Sequence, residues 1–406
     1  MISIEDAQRT VLERISTVEG EEVPLLQALN RVTTEDHISP WDIPPADNSA
    51  MDGYAFCRAT TADRLQVTGF LSAGEVRLTP VPAGEAVKIM TGAPVPPGCD
   101  TVVPVEEVEV EGTSVRILSD IKEGRHLRRR GEDIAAGEVA LAKGTVLRPQ
   151  ELSLLAAMGK TAVRVHRRAR VAIISTGDEL VEPGCVPTPG KIINSNSYAL
   201  AAQVLEAGGE PILLGIAPDT LHDTAEKIRA GTSADFVVLN GGVSVGDKDY
   251  VKAAIEELGG SFAFWKVDMK PGKPLAFGEV MGKAVFALPG NPVAAAVSFE
   301  LFVRPALLRC MGHRHIFRPT VKAFLQEVVH NSATRPHLMR SMVTREEDRY
   351  VVSTTGVQCS AKISSLTRGN ALMTLPPECS LATGAEVEVM LLDSSFGKSL
   401  VEAGVA

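Results

Sequence analysis

No two cysteines in the 406-residue sequence stand at C-x-x-C spacing. Cys57, Cys99, Cys185, Cys310, Cys359 and Cys379 therefore speak against both a structural zinc and a disulfide framework. An unbroken apolar span is also missing. The longest apolar tract, residues 286–303, is interrupted by Pro289, Gly290, Asn291, Pro292 and Glu300 and does not suit a bilayer. Residues 1–15 carry Glu5, Asp6, Arg9, Glu13 and Arg14 in place of the apolar core of a signal peptide, so a reducing cytoplasm is the expected compartment. Positive charge is in deficit: Lys plus Arg is 41 against 50 Asp plus Glu, a net charge of −9. Nucleic acid and anionic membranes are repelled on average. Any bound anion must be small and held by a local cluster of donors and cations.

The chain has the apolar content of a globular protein, 45%, with 22% charged residues. Its length implies roughly two to four domains. Ile4, Ala7, Val11, Leu12 and Ile15 recur at helical spacing behind Ser3 and Asp6, an amphipathic opening helix. Between residues 38 and 137 Gly and Pro punctuate alternating runs such as Ala86-Val87-Lys88-Ile89, the period of half-buried strands. A helix at Pro149, ending at Gly159, is expected to pack on the opening one, which makes 38–137 a β-rich insertion into a helical linker domain of residues 1–37 plus 138–168. From Arg170 the pattern changes to continuous apolar runs at 171–174, 211–216, 236–239 and 284–288, separated by helical segments at 197–207, 221–230, 250–258 and 292–308. That alternation predicts a parallel α/β domain over 169–312. Alternating runs return after Gly312, so a β domain of residues 313–406 closes the chain.

In an open parallel sheet, ligands bind beyond the carboxyl ends of the strands. Four such ends carry unusual loops: Ser175-Thr176-Gly177-Asp178-Glu179, Pro218-Asp219, residues 240–250 and Pro289-Gly290-Asn291-Pro292. Gly241 and Gly242, with Ser244 and Gly246, can turn backbone N–H groups inward as an anion nest, or simply make a tight strand-to-helix turn. Neither the Walker spacing nor G-x-G-x-x-G is present. Glu179, Asp219 and Asp249 come from three strand ends and offer the hard oxygen ligands that Mg2+ requires; Asp219 alone could equally be a helix N-cap. Lys266, Lys270 and Lys273 lie in a stretch stiffened by Pro271, Gly272 and Pro274, and suit a dianion better than a solvated loop. In the β-rich insertion, residues 47–54 and 88–94 read as site loops. Arg128-Arg129-Arg130 is a basic run for a phosphate or for neighbouring acids, and its spacing favours the acids.

Seven strings taken together resemble the molybdopterin molybdenumtransferase family, of the MoeA and gephyrin E-domain type. They are DNSAMDGYA at 47–55, IMTGAPVPPG at 89–98, RRRGED at 128–133, STGDEL at 175–180, GGVSVGDKDY at 241–250, MKPGKP at 269–274 and LPGNP at 288–292. The resemblance implies a central molybdopterin-binding-like domain and a β-barrel-like last domain. It further implies a cytoplasmic transferase that takes adenylylated molybdopterin and molybdate and cleaves the adenylate with Mg2+. The products would be molybdenum cofactor and AMP.

Carried over by position, Glu179, Asp219 and Asp249 would hold the metal. Ser175, Thr176, Gly177, Gly241, Gly242, Ser244, Gly246, Pro289, Gly290 and Asn291 would line the substrate site. Lys270 and Lys273, with Arg340 and Ser360 of the last domain, would receive molybdate, and Lys266 the pterin phosphate. The pattern loosens around Ser360. The family is homodimeric, so Asp52, Thr91 and Asp133 would complete a site in trans. A molybdopterin adenylyltransferase is the expected partner enzyme. The rival readings are that adenylyltransferase activity itself, or a non-catalytic scaffold; tungstate would suit the same cations as molybdate.

Overall fold

The computed structural model describes residues 1–59, 62–120, 122–243 and 250–393. Chain contacts divide it into two units, one of residues 1–21, 30–32 and 165 onward, the other of residues 22–29 and 33–164. This division is coarser than the four domains expected.

In the first unit a six-stranded sheet runs in the order Glu210–Ala217, Arg170–Thr176, Phe236–Asn240, Lys283–Leu288, Ala276–Val280, Ser261–Trp265. The first four strands are parallel. Arg170–Thr176, Phe236–Asn240 and Lys283–Leu288 are buried along most of their length, which explains their unbroken apolar text, whereas the edge strand Glu210–Ala217 is mostly half-buried. The last two are antiparallel, which the sequence pattern does not predict. Gly278 makes that pairing possible, because a Cβ there would stand 2.2 Å from the carbonyl oxygen of Ser261.

Helix Leu221–Gly231 is capped by Thr220, whose Oγ1 accepts the Asp223 N–H at 3.0 Å. Helix Pro292–Ser298 passes through a π turn at Phe299–Val303 into helix Arg304–Cys310. The opening helix, Ile4–Glu13, has Ser3 as N-cap and buries Ala7 and Val11 in the same apolar cluster as Leu301, Val303 and Ala306. Helix Pro149–Ala157 falls in the second unit. The opening helix packs on the π turn and the helix after it.

Strands Thr320–Leu325, Arg349–Thr354, His337–Glu346, Ala371–Leu375 and Glu386–Leu391 close into a barrel. Closure removes free strand edges. Along His337–Glu346 the side chains alternate: Met339 and Val343 enter the barrel core, whereas Leu338 joins the core of the α/β sheet. Arg340 shares the face of Leu338 by the same period.

The second unit holds a six-stranded sheet in the order Thr101–Pro104, Gly53–Phe56, Glu85–Ile89, Arg64–Leu71, Ser114–Ile117, Val108–Glu111. Its site loops leave from the ends of Gly53–Phe56 and Glu85–Ile89. No described helix is long and apolar enough to cross a membrane.

Phe286 is fully buried, with its ring centroid 4.8 Å from that of Phe277. Phe286→Ala is expected to cost about 3–5 kcal/mol, read from the denaturant midpoint of the full chain.

Candidate functional site

The carboxyl ends of the parallel strands open into a cavity of about 660 Å3. Thr176, Gly177, Glu179, Asp219, Gly241, Gly242, Pro289, Gly290 and Asn291 all line it, as the sequence predicts. Gly177 has φ 143, and a Cβ there would stand 2.3 Å from Glu179 Oε2, so only glycine leaves that carboxylate room. Gly241 and Gly242, at φ 94 and 64, press against Thr176, whose Oγ1 would lie 2.9 and 2.8 Å from added Cβ atoms.

Because Thr220 caps the following helix, Asp219 is not spent as an N-cap. Its Oδ2 accepts the Asp178 N–H at 3.2 Å, and Asp178 Oδ1 accepts the Asp219 N–H at 3.1 Å. These reciprocal bonds fix the Asp219 loop to the loop bearing Glu179. Asp249, Ser244 and Gly246 lie outside the described residues. Among the described residues no group of three acidic, histidine or cysteine side chains is gathered for a metal.

Ser175 departs from expectation. Its hydroxyl is buried and bonded to Asn194 Oδ1 at 3.0 Å and to Ser197 at 2.7 Å, so it holds the cavity wall from behind. Sequence reasoning also missed Asn194 and Asn196, which line the cavity, and gave no role to Asn240, which lines it as well. Asn196 Nδ2 donates to Asn240 Oδ1 at 2.8 Å and to Gly290 O at 2.7 Å, and Asn240 Nδ2 donates to Pro289 O at 2.8 Å. Two strand ends and a helix start are thereby tied together. The signal was an asparagine ending an otherwise apolar strand.

A second cavity, of about 580 Å3, adjoins the first, with Pro274, Pro289 and Asn291 common to both linings. Lys270, Lys273, Arg335, Gln358 and Ser360 line it. The antiparallel turn-back explains how the lysines arrive. Trp265 pairs with Ala276, and Ala276 with Ala287, so loop 266–275 emerges beside the carboxyl end of Lys283–Leu288. Lys266 is not among the lining residues of either cavity; it starts the loop half-buried at φ 79, its N–H donating to Leu275 O at 2.8 Å. The expected trio is thus a pair at this cavity.

Ser360 is placed by Asn291, whose Nδ2 donates to Ser360 Oγ at 3.1 Å, and by its own carbonyl, which accepts the Val293 N–H at 3.0 Å. Arg340, expected beside these lysines, is 1% exposed and is not among the lining residues of either cavity. Its Nε donates to Ser365 Oγ at 3.1 Å and its Nη2 to Cys359 O at 3.2 Å, while Nη1 has no partner among the described residues. No described carboxylate pairs with it, and burial pulls its pKa below the ordinary arginine value. A buried guanidinium left without an acid is costly, and an arriving anion relieves it.

His337, on the same strand, is 3% exposed, and neither ring nitrogen is bonded among the described residues. Burial, then Lys270 and Arg340, push its pKa down to about 4.

In the second unit Asp52 accepts both the N–H and the hydroxyl of Thr91 at 2.7 Å, which hold its pKa below the usual carboxylate value. Asp133 is exposed, its N–H donating to Ile43 O at 3.1 Å. In the basic run, Arg129 pairs with Asp47 at 2.7 Å and Arg130 with Asp42, the structural role its spacing favoured.

Family descriptions match the chain in three stretches: the MoeA N-terminal region (domain I and II) at 2–159, a probable molybdopterin-binding domain at 172–309, and the MoeA C-terminal region (domain IV) at 322–392. The Mycobacterium tuberculosis H37Rv protein named molybdopterin molybdenumtransferase 2 is 36% identical over 403 residues, spanning 96% of this chain and 99% of that one. The molybdopterin molybdenumtransferase of Haemophilus influenzae is 35% identical over 385 residues, 93% and 95% of the two chains. Among solved structures, the molybdopterin biosynthesis MoeA protein of Pyrococcus horikoshii OT3 aligns with a TM-score of 0.83 at 32% identity, covering 96% of this chain and all of its own. The fold is that of a multidomain transferase. The chain belongs to the molybdopterin molybdenumtransferase family.

His337 also sets a pH dependence. An exposed histidine of the unfolded chain titrates near 6.5, and the folded one near 4. Between these values only the unfolded chain binds the proton, so stability should fall as pH drops from about 6.5 toward 4. Denaturant unfolding at pH 7 and pH 5 is expected to show this loss, reduced in His337→Gln.

Proposed function

We propose that this chain transfers molybdenum from molybdate to adenylylated molybdopterin, with cleavage of the adenylate to AMP. The relatives' names carry the transferase reading and give no support to an adenylyltransferase or a scaffold. The observation that carries the chemistry is the pair of adjoining cavities, one lined by carboxylates and a glycine turn, the other by Lys270, Lys273, Arg335 and Ser360.

The division of labour follows from charge. A phosphoanhydride and a molybdate dianion repel each other at close range unless cations intervene. Lys270 and Lys273 would hold molybdate, with Ser360 donating a hydroxyl and Arg340 adding its unpaired Nη1. Thr176, Gly177, Gly241, Gly242 and the Pro289–Asn291 turn would hold the adenylylated ligand. Glu179 and Asp219 fit a divalent cation by their hard oxygen donors and by the room Gly177 leaves. Asp249 would be the third ligand, and Lys266 a contact on the phosphate side. Bound there, Mg2+ would offset phosphate charge and polarise the anhydride.

A homodimer extends this reading. Asp52, Thr91 and Asp133 are exposed, and Asp52 is held ionised by Thr91, as a residue offered to a partner subunit's site would be. The cytoplasm is the compartment, with a molybdopterin adenylyltransferase supplying the substrate. The finer division into a helical linker, a β-rich insertion, an α/β domain and a β barrel belongs to the same reading.

Purified protein given adenylylated molybdopterin, Mg2+ and molybdate is expected to release AMP only when molybdate is present. AMP release independent of molybdate would defeat the assignment. A hydrogen bond to a charged group is worth about 1.5–3 kcal/mol. Lys273→Gln should therefore raise the molybdate needed for half-maximal release by about ten- to hundredfold. Mixing inactive Asp52→Asn subunits with inactive Asp219→Asn subunits should restore part of the activity if sites are shared. Mixtures that exchange subunits and stay inactive would place Asp52 outside the partner's site.

A further inference from the structure

The loop of residues 332–335, to which the sequence pattern gives no role, supplies Ser332, Thr334 and Arg335 to the lining of the second cavity. Arg335 is half-buried there. The loop is folded over a buried asparagine. Asn331, 2% exposed, accepts the Ala333 N–H through Oδ1 at 3.1 Å, and its Nδ2 donates to Arg335 O at 3.0 Å and to Pro376 O at 2.7 Å. Glu378 N–H donates to Ala333 O at 3.0 Å and pins the middle of the loop. The end of the loop is tied to the lysine loop, because Pro336 O accepts the Lys270 N–H at 2.9 Å and Lys270 O accepts the Leu338 N–H at 2.7 Å. The backbone of Arg335 is thus fixed one residue from its junction with Lys270.

The described lining of this cavity holds three cations, Lys270, Lys273 and Arg335, and no acid or histidine. Among the described residues none of the three makes an ion pair. Like charges that share a partly enclosed space repel one another, and no protein group offsets them there. A dianion between them does.

We propose that Arg335 binds the oxyanion in the second cavity together with Lys270 and Lys273. This rests on the molybdate reading of that cavity and adds to it a cation from a separate stretch of chain. The two kinds of cation contribute differently. Each lysine offers a point charge on a flexible stem, whereas a guanidinium presents a planar fork whose parallel N–H groups match two oxygens of one tetrahedral anion. Asn331 holds the arginine's loop in place before the ligand arrives, so little backbone ordering is left for binding to meet. Ser332 and Thr334, exposed on the same loop, add uncharged hydroxyl donors at its rim.

The test is titration calorimetry of the full chain with molybdate, and separately with AMP, on the unmodified protein, Arg335→Gln and Lys273→Gln. Arg335→Gln is expected to weaken molybdate binding about ten- to hundredfold, the loss of one charge-assisted contact, and to leave AMP binding as it was. Molybdate binding that weakens in Lys273→Gln but not in Arg335→Gln would overturn the assignment of Arg335 and leave the cavity reading intact. Molybdate that fails to bind the unmodified protein, or binds all three proteins alike, would remove the cavity reading and the assignment with it. A parallel loss of AMP affinity in Arg335→Gln would mark a disturbance of the fold, and a measurement on the unmodified protein then decides. Phenylglyoxal, which modifies accessible arginines, should label Arg335 in the free protein, and saturating molybdate should suppress the label there but not at the exposed Arg345. Labelling of Arg335 that is the same with and without molybdate overturns the proposal.

Discussion

The reversal of one strand governs the rest. Had Ala276–Val280 run parallel to its neighbour, the preceding loop would have left from the far edge of the sheet, and Lys270 and Lys273 with it. Antiparallel pairing places that loop against Pro289 and Asn291, where two cavities share a wall. On the proposed function, two anions that repel one another would find adjoining sites whose charges differ in kind. Oxygen donors line one; ammonium groups line the other.

The barrel supplies the counterpart. A closed barrel wall has two faces, and the strand His337–Glu346 uses both: Met339 and Val343 fill the inside, while Leu338 and Arg340 face the α/β sheet. Arg340 is held by a hydroxyl and a carbonyl, neither of which neutralises it. A carboxylate in that place would have stabilised the empty protein and competed with the ligand. The strand thus carries an unneutralised buried charge at some cost in stability, and burial, with Lys270 and Arg340 after it, keeps His337 neutral.

Much of this was legible in the text. Strand ends carrying Gly177, Gly241, Gly242, Gly290 and Asn291 declared themselves because glycine and asparagine are out of place after apolar runs, and the structure gathers them in one cavity. The β-rich insertion, the α/β alternation and the closing β module were equally visible from their periods. Other features depend on tertiary context. Ala276-Phe-Gly-Glu-Val reads as a strand of either direction, since periodicity carries no sign. Asp219 looked as much like a cap as a ligand until Thr220 was seen to hold the cap. Lys266 counted with the other lysines by proximity in sequence, yet the loop's path leaves it off both linings. Ser175 and Thr176 are adjacent in the chain, but one braces the wall and the other lines it.

The junction between the cavities has a chemical character of its own. Two of the three residues common to both linings are Pro274 and Pro289, which have no N–H to offer. The third, Asn291, has its amide engaged with Ser360. A negatively charged group at this threshold therefore finds few hydrogen-bond donors to detain it, whereas lysines wait on one side and a glycine turn on the other. On the proposed function, a junction so poor in donors would keep two well-bound stations from becoming a trap.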